Sequence, residues 1–225
     1  MLPGIRAVVF DFDGTLAIAN IDFALMRQRL DGLVERFGLD PHELEHLYIL
    51  EMIDAVAAEL GQAGDGRAAR FYREAHDVVL TLESAYARSS GMLPGAVAAL
   101  QTLRQWGFKV GIVTRNSAPA VRTICPLIDS LCDVFLPREA VRFVKPHPEH
   151  LRCALEGLRI SAHQAVMVGD GPIDIAAGKA LGLKTIAVLT GGHRREALLA
   201  SQPDLILDSV ADLIPCLVES QAPQA

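Results

Sequence analysis

Four carboxylates, a hydroxyl and an ammonium stand out in this 225-residue chain for their company and spacing. Asp11 and Asp13 lie two apart in Asp-Phe-Asp-Gly-Thr-Leu (11–16). Thr114 closes Gly-Ile-Val-Thr (111–114) and is followed by Arg115 and Asn116. Lys145 sits in Val-Lys-Pro-His-Pro (144–148), and Asp170 and Asp174 frame Gly-Asp-Gly-Pro-Ile-Asp (169–174). Carboxylates brought together bare would repel one another and take up protons. A hard divalent cation with oxygen ligands, Mg2+ foremost, resolves that conflict. Phosphoryl transfer asks for the same set: a nucleophile, a proton donor, and positive charge around the moving oxygens. Of Asp11 and Asp13, one would attack phosphorus and the other protonate the leaving oxygen. Gly14 and Thr15 open a turn where backbone can come close to a phosphate. The chain has only four lysines (109, 145, 179 and 184), and one of them falls here. A compact charge on a flexible stem suits a bridge between carboxylate and phosphate.

Such residues act together only if the elements before them deliver them to one edge. Short apolar runs do end where they stand: Ala7 to Phe10 before Asp11, Val110 to Val113 before Thr114, and Ala165 to Val168 before Gly169-Asp170. Two more, Thr185 to Leu189 and Leu205 to Leu207, end before Thr190-Gly191-Gly192 and Asp208. None alternates with polar residues, which predicts strands buried on both faces in a parallel sheet. Helix-period segments separate them at Val97 to Trp106, Glu149 to Leu158 and Ile173 to Leu181. The alternation predicts an α/β fold, a Rossmann-like doubly wound parallel sheet with ligands at the carboxyl ends of its strands.

Residues 18 to 90 break this rhythm with three helical stripes in succession. Phe23, Met26, Leu30, Leu33 and Phe37 form the first. Asp40-Pro41-His42-Glu43 reads as the start of the second, continued by Leu44, Leu47, Leu50, Ile53, Ala57 and Leu60. Gly61 to Gly66 is a loop, and Phe71, Ala75, Val78, Leu82 and Tyr86 form the third. The expected organisation is an α/β core from 1–17 and 91–225, interrupted by a small all-helical domain over 18–90. The tail after Ser220 is polar and contains proline.

In their order and spacing the four motifs resemble those of the haloacid dehalogenase-like (HAD) superfamily of hydrolases, and the layout is similar to its phosphoglycolate-phosphatase-like members. The resemblance implies Asp11 as the nucleophile, transiently phosphorylated and also a metal ligand. It implies Asp13 as general acid and base, with its backbone carbonyl on magnesium, and Thr114 and Lys145 on the phosphoryl oxygens. Asp170 and Asp174 would complete the Mg2+ site, and Gly14 and Thr15 would lie against the substrate phosphate. Arg115 and Asn116 both follow Thr114, and which of them backs the phosphate is open. Gly171 stands where relatives often carry a hydroxyl. The helical insertion resembles the cap that closes over such sites. The expected activity is Mg-dependent hydrolysis of a small phosphate monoester, a small phosphorylated metabolite being the partner. A phosphomutase shares every core residue, and a non-catalytic phosphate-binding module is the remaining alternative. Dehalogenation is disfavoured by Asp13, and phosphonate hydrolysis by the lack of any lysine in residues 17 to 90.

The bulk properties fit a folded enzyme. The net charge of −6 offers no broad basic face for nucleic acid. No apolar stretch reaches the ~18 residues of a membrane span, and the first residues do not read as a signal peptide, so a cytoplasmic address and no membrane partner are expected. Cys125, Cys132, Cys153 and Cys216 have no zinc-like spacing and read as reduced, mostly buried thiols. A monomer or a homodimer is equally compatible. His147 reads as a surface residue, while His193 and Arg194 follow a strand end and could line the site. Arg27, Arg29, Arg67, Arg70 and Arg73 read mainly as solvated helix faces.

Overall fold

The computed structural model describes residues 4–62 and 66–221. Two compact units emerge, one from residues up to Ala19 together with those from Ala87 on, the other Asn20–Tyr86.

In the first unit six strands form one parallel sheet in the order β3-β2-β1-β4-β5-β6. They are β1 (Ala7–Phe10), β2 (Lys109–Val113), β3 (Val134–Leu136), β4 (Ala165–Gly169), β5 (Lys184–Val188) and β6 (Leu205–Leu207). All four residues of β1 and all five of β4 are buried, as expected of strands covered on both faces. Seven helices of this unit follow the three of the insertion and are numbered after them: α4 (Ala96–Gln105), α5 (Ala118–Ile124), α6 (Ile128–Leu131), α7 (Glu149–Leu158), α8 (Pro172–Ala180), α9 (Arg195–Ala200) and α10 (Leu213–Gln221). Ala7, Val9, Val113 and Met167 on one sheet face pack with Leu151, Ala154 and Leu158 of α7 and Ala177 of α8. The α4 helix packs on β2 and against α10. Strand β3 joins β2 without having announced itself in the sequence, and α10 reaches the last described residue, so the tail beyond it is outside this description.

The strand order reverses between β1 and β4, and that is where a crevice opens at the carboxyl edge of a doubly wound sheet. Register fixes what arrives there. Phe10 lies opposite both Ile112 and Val168, so Asp11 emerges beside Val113-Thr114 and Gly169-Asp170. The Asp11 amide donates to the Val168 carbonyl at 2.9 Å, prolonging the ladder by one residue.

The second unit comprises α1 (Phe23–Arg36), a 3-10 turn over Pro41–Leu44, α2 (Ile49–Gly61) and α3 (Arg67–Ala87). The apolar stripes converge on one core containing Met26, Leu30, Leu33, Met52, Ile53, Val56, Phe71 and Ala75. Phe37 meets the edge of the Phe71 ring at 5.3 Å between centroids. Two details depart from the sequence reading. Phe23 stays exposed at the start of α1. The second helix does not run from Asp40: the Asp40 carboxylate accepts the His42 amide at 2.9 Å, one 3-10 turn forms, and the helix restarts at Ile49. His42 and Glu45 pair across that turn at 2.8 Å, both side chains exposed. Residues 63–65, inside the loop expected between Gly61 and Gly66, lie outside the described residues.

Among the described residues no helix is long and apolar enough to cross a membrane. Cys125 and Cys132 are buried and Cys153 and Cys216 half-buried; burial pushes the Cys132 thiol up to about 12, which suits an inert packing role.

Candidate active site

At the carboxyl edge of β1 and β4, Asp11, Asp170 and Asp174 place one carboxylate oxygen each within 4.8 Å of one another. Asp11 follows β1, Asp170 follows β4, and Asp174 comes from the first turn of α8. The Asp174 carboxylate also accepts the Gly171 amide at 3.0 Å, which anchors it to the helix start. Lys145 is fully buried, and its Nζ lies 2.6 Å from Asp11 Oδ1 and 2.6 Å from Asp174 Oδ1.

Three carboxylates facing one ammonium leave two negative charges in excess in a place largely shut off from water. The titration behaviour follows. Burial, with Asp11 and Asp174 adding repulsion, pushes Asp170 up to about 8. Burial raises Asp174 to about 6 in spite of the Lys145 ammonium beside it. Asp11 is raised by burial, against the pull of Lys145 and with a further push from Asp13. Burial works against the charge on Lys145, yet Asp11 and Asp174 outweigh it and raise its pKa, so the ammonium is kept. A divalent cation would supply the missing charge. An ion of magnesium's size would hold oxygens at about 2.1 Å, so opposite ligands would stand about 4.2 Å apart. The donor set, all oxygen and nearly that compact, fits it with small side-chain adjustments.

Two glycines make this cluster possible. At Gly14, with φ of +79°, an added Cβ would lie 2.5 Å from Asp170 Oδ2; at Gly191 it would lie 1.7 Å from the same atom. Neither position tolerates a side chain while Asp170 stays in place. Thr15 Oγ1 donates to Asp170 Oδ1 at 3.3 Å, and Thr190 Oγ1 donates to the Gly14 carbonyl at 2.6 Å, tying both loops around the carboxylate.

The other predicted residues form a second cluster. Asp13 directs its carboxylate to Thr114 and Asn116 and is outside the acidic triad. Thr114 Oγ1 donates to Asp13 Oδ2 at 3.1 Å, and Asn116 Nδ2 donates to Asp13 Oδ1 at 3.0 Å. The Asn116 amide donates back to Thr114 Oγ1 at 2.9 Å, and the Ser117 amide donates to Asn116 Oδ1 at 2.8 Å. Asn116 is thus spent on orienting Asp13. The Arg115 guanidinium donates to the backbone carbonyl of Lys145 and so braces that loop.

Three residues were missed or left open by the sequence. Thr190 and Gly191 follow β5 in a Thr-Gly-Gly run that marks a tight approach. His193, in the same loop, has its ring 3.4 Å from where a Gly171 Cβ would stand, so it lies beside Gly171 at the start of α8. His147 faces away into the surface: its ring stacks with Phe143 at 4.7 Å, and its Nδ1 accepts the Glu149 amide at 3.2 Å. In the helical unit Arg36, Phe37, Arg67, Arg70 and Glu74 line a pocket of about 360 Å³. Its guanidiniums already engage partners there, Arg67 on the Phe37 carbonyl and Arg70 on Glu74 at 2.7 Å.

Comparison with known proteins agrees with this geometry. The family model of the haloacid dehalogenase-like hydrolases matches residues 5–182. A pyrophosphatase, PpaX of Bacillus mycoides (strain KBAB4), is 40% identical over 120 residues, 52% of this chain and 56% of its own length. The chain therefore spans little more than half the length of the curated relatives it matches. A predicted phosphoglycolate phosphatase from Haemophilus somnus 129PT superposes with a TM-score of 0.65 at 20% identity, over 96% of this chain and 100% of its own. The β-phosphoglucomutase of Clostridium difficile does so with 0.69 at 20% identity, over 96% of each chain. At such identities the two solved structures speak for the fold alone.

Proposed function

This chain belongs to the haloacid dehalogenase-like hydrolases, and on that premise we propose that it is a magnesium-dependent phosphatase of small phosphate monoesters. The observation that carries the reading is the compact group of Asp11, Asp170 and Asp174 around the buried Lys145, at the one edge where the sheet order reverses.

In this reading an Asp11 carboxylate oxygen attacks phosphorus, and the bond from phosphorus to the leaving oxygen breaks. Asp13 gives that oxygen a proton. Water then attacks the aspartyl-phosphate at phosphorus, Asp13 takes the water's proton, and phosphate leaves with Asp11 restored. Thr114 and Asn116 hold Asp13 in the orientation both transfers require, through contacts of 3.1 and 3.0 Å. Lys145 keeps its charge throughout and offsets the negative charge gathering between Asp11 and the phosphoryl oxygens. Magnesium, held by Asp11, Asp170 and Asp174, would supply further positive charge to those oxygens. The Asp13 carbonyl is a further ligand in this reading, and Gly14 and Thr15 lie against the phosphate. The helical unit is a cap that selects the ester by shape. The substrate class, small phosphorylated metabolites, goes with a cytoplasmic address.

The test is phosphate release from phosphoglycolate, sugar phosphates, nucleoside monophosphates and inorganic pyrophosphate, with magnesium, with EDTA, and with Asp11→Asn. Release abolished by both EDTA and the substitution supports the reading, and the best substrate names the class. A folded, magnesium-binding protein that releases phosphate from none of them overturns it. Isomerisation of a sugar phosphate that depends on a bisphosphate would point to a mutase instead.

A further inference from the structure

One buried histidine is built into the site and takes no part in the chemistry just described. His150 lies in the first turn of α7 and has no exposed surface. Its Nδ1 accepts the backbone N–H of Lys145 at 3.3 Å, and its Nε2 is 3.0 Å from the carbonyl of Leu136. A peptide N–H can only donate and a carbonyl can only accept, so the ring carries its single proton on Nε2. Burial, with the Lys145 and Arg115 charges nearby, drives its pKa down to about 3, in keeping with a neutral ring.

The Leu136 carbonyl, at the end of β3, also accepts the Thr114 amide at 3.1 Å. One oxygen therefore holds Thr114 directly and Lys145 through the imidazole. On its other side the Lys145 carbonyl accepts the Arg115 guanidinium, and the Arg115 carbonyl accepts Arg138 Nη1 at 3.3 Å. Both peptide groups of Lys145 are thereby fixed, and from that anchored backbone its ammonium reaches Asp11 and Asp174. For packing alone, leucine would fill this helix position without the cost of burying two ring nitrogens.

We propose that His150 is a positioning residue that fixes the Lys145 backbone relative to Thr114 and so aims the ammonium at the attacked phosphoryl group. The proposal rests on the phosphatase reading for its kinetic part only.

The experiment compares wild type, His150→Leu and His150→Asn, whose side-chain carbonyl can take the place of Nδ1 as acceptor for the Lys145 amide. With the best phosphomonoester and saturating magnesium, His150→Leu should lower kcat about 100-fold with KM changed less than about 3-fold. His150→Asn should recover all but about tenfold. Hydrogen exchange read at single amides should show Lys145 exchanging at least about tenfold faster in His150→Leu, near wild type in His150→Asn, with Val8 to Phe10 of β1 unchanged. An unchanged kcat in His150→Leu, or an Asn variant no better than Leu, overturns the proposal. So does exchange that rises equally at Lys145 and in β1, because the ring then serves the whole fold. If wild type hydrolyses no ester, the phosphatase reading fails, and amide exchange alone still decides whether His150 holds Lys145.

Discussion

Replacing Asp170 by asparagine should stabilise the metal-free protein while ruining its metal site. Asp170 is only 9% exposed, and its carboxyl is pushed up to about 8 from an ordinary 3.8. A folded pKa above the unfolded one means that the group costs nothing below the unfolded value and progressively more as pH rises toward 8. At pH 7 the native state keeps a proton that the unfolded chain gives up, over a gap of ~3 pH units at about 1.4 kcal/mol each, or at most ~4 kcal/mol. Relaxation and water entry lower this to about 2–4 kcal/mol. Asparagine keeps the size and an acceptor for Thr15 Oγ1 without the charge. For a chain of this length the gain corresponds to a rise in Tm of roughly 5–15 °C at pH 7, and at pH 5 to only a few degrees. Thermal melts of both proteins in EDTA at the two pH values test this. Excess magnesium should then reverse the order at pH 7, since only wild type gains from binding it. A variant no more stable than wild type in EDTA at pH 7, or a gain equal at both pH values, would refute the reasoning.

Lys145→Met removes the one ammonium between Asp11 and Asp174 and should cost about 3–5 kcal/mol in EDTA, partly restored by magnesium, as melts will show. Gly191→Ala must displace the loop or Asp170, because its Cβ would fall 1.7 Å from Oδ2. Magnesium affinity measured by calorimetry should drop about 10- to 100-fold. Thr114→Val keeps the shape but removes a donor to Asp13 and an acceptor for the Asn116 amide. It should lower kcat about 10- to 100-fold with little change in KM, at a stability cost of ~1–3 kcal/mol.

What the sequence alone reveals depends on how local the signal is. Ala7 to Phe10 is short, wholly apolar and stops at a carboxylate, so both the strand and its delivery of Asp11 were legible. Strand β3 was not: it has three half-buried residues at the sheet edge, and Asp133 and Pro137 on either side read as loop. The break between Asp40 and Ile49 was hidden because Leu44, Leu47 and Leu50 keep one apolar spacing across it. Motif spacing put Asp11, Lys145, Asp170 and Asp174 on one edge, and the register of β1 with β4 accounts for Asp11 and Asp170. The partners of Arg115 and Asn116 were beyond reach, since the Lys145 carbonyl and the Asp13 carboxylate meet them only in three dimensions. His150 was invisible for the same reason: within α7 it sits among apolar stripe residues, and nothing in its neighbours announces the Leu136 carbonyl.

The covalent step is the most direct test of the central claim. Wild-type protein with magnesium and its best ester should be quenched in acid during turnover, reduced with borohydride, and mapped by peptide mass spectrometry. A phosphoryl adduct is expected on Asp11, converted by reduction to homoserine at that position and absent from Asp11→Asn. Phosphate release without any adduct on Asp11, or an adduct on another residue, would contradict it.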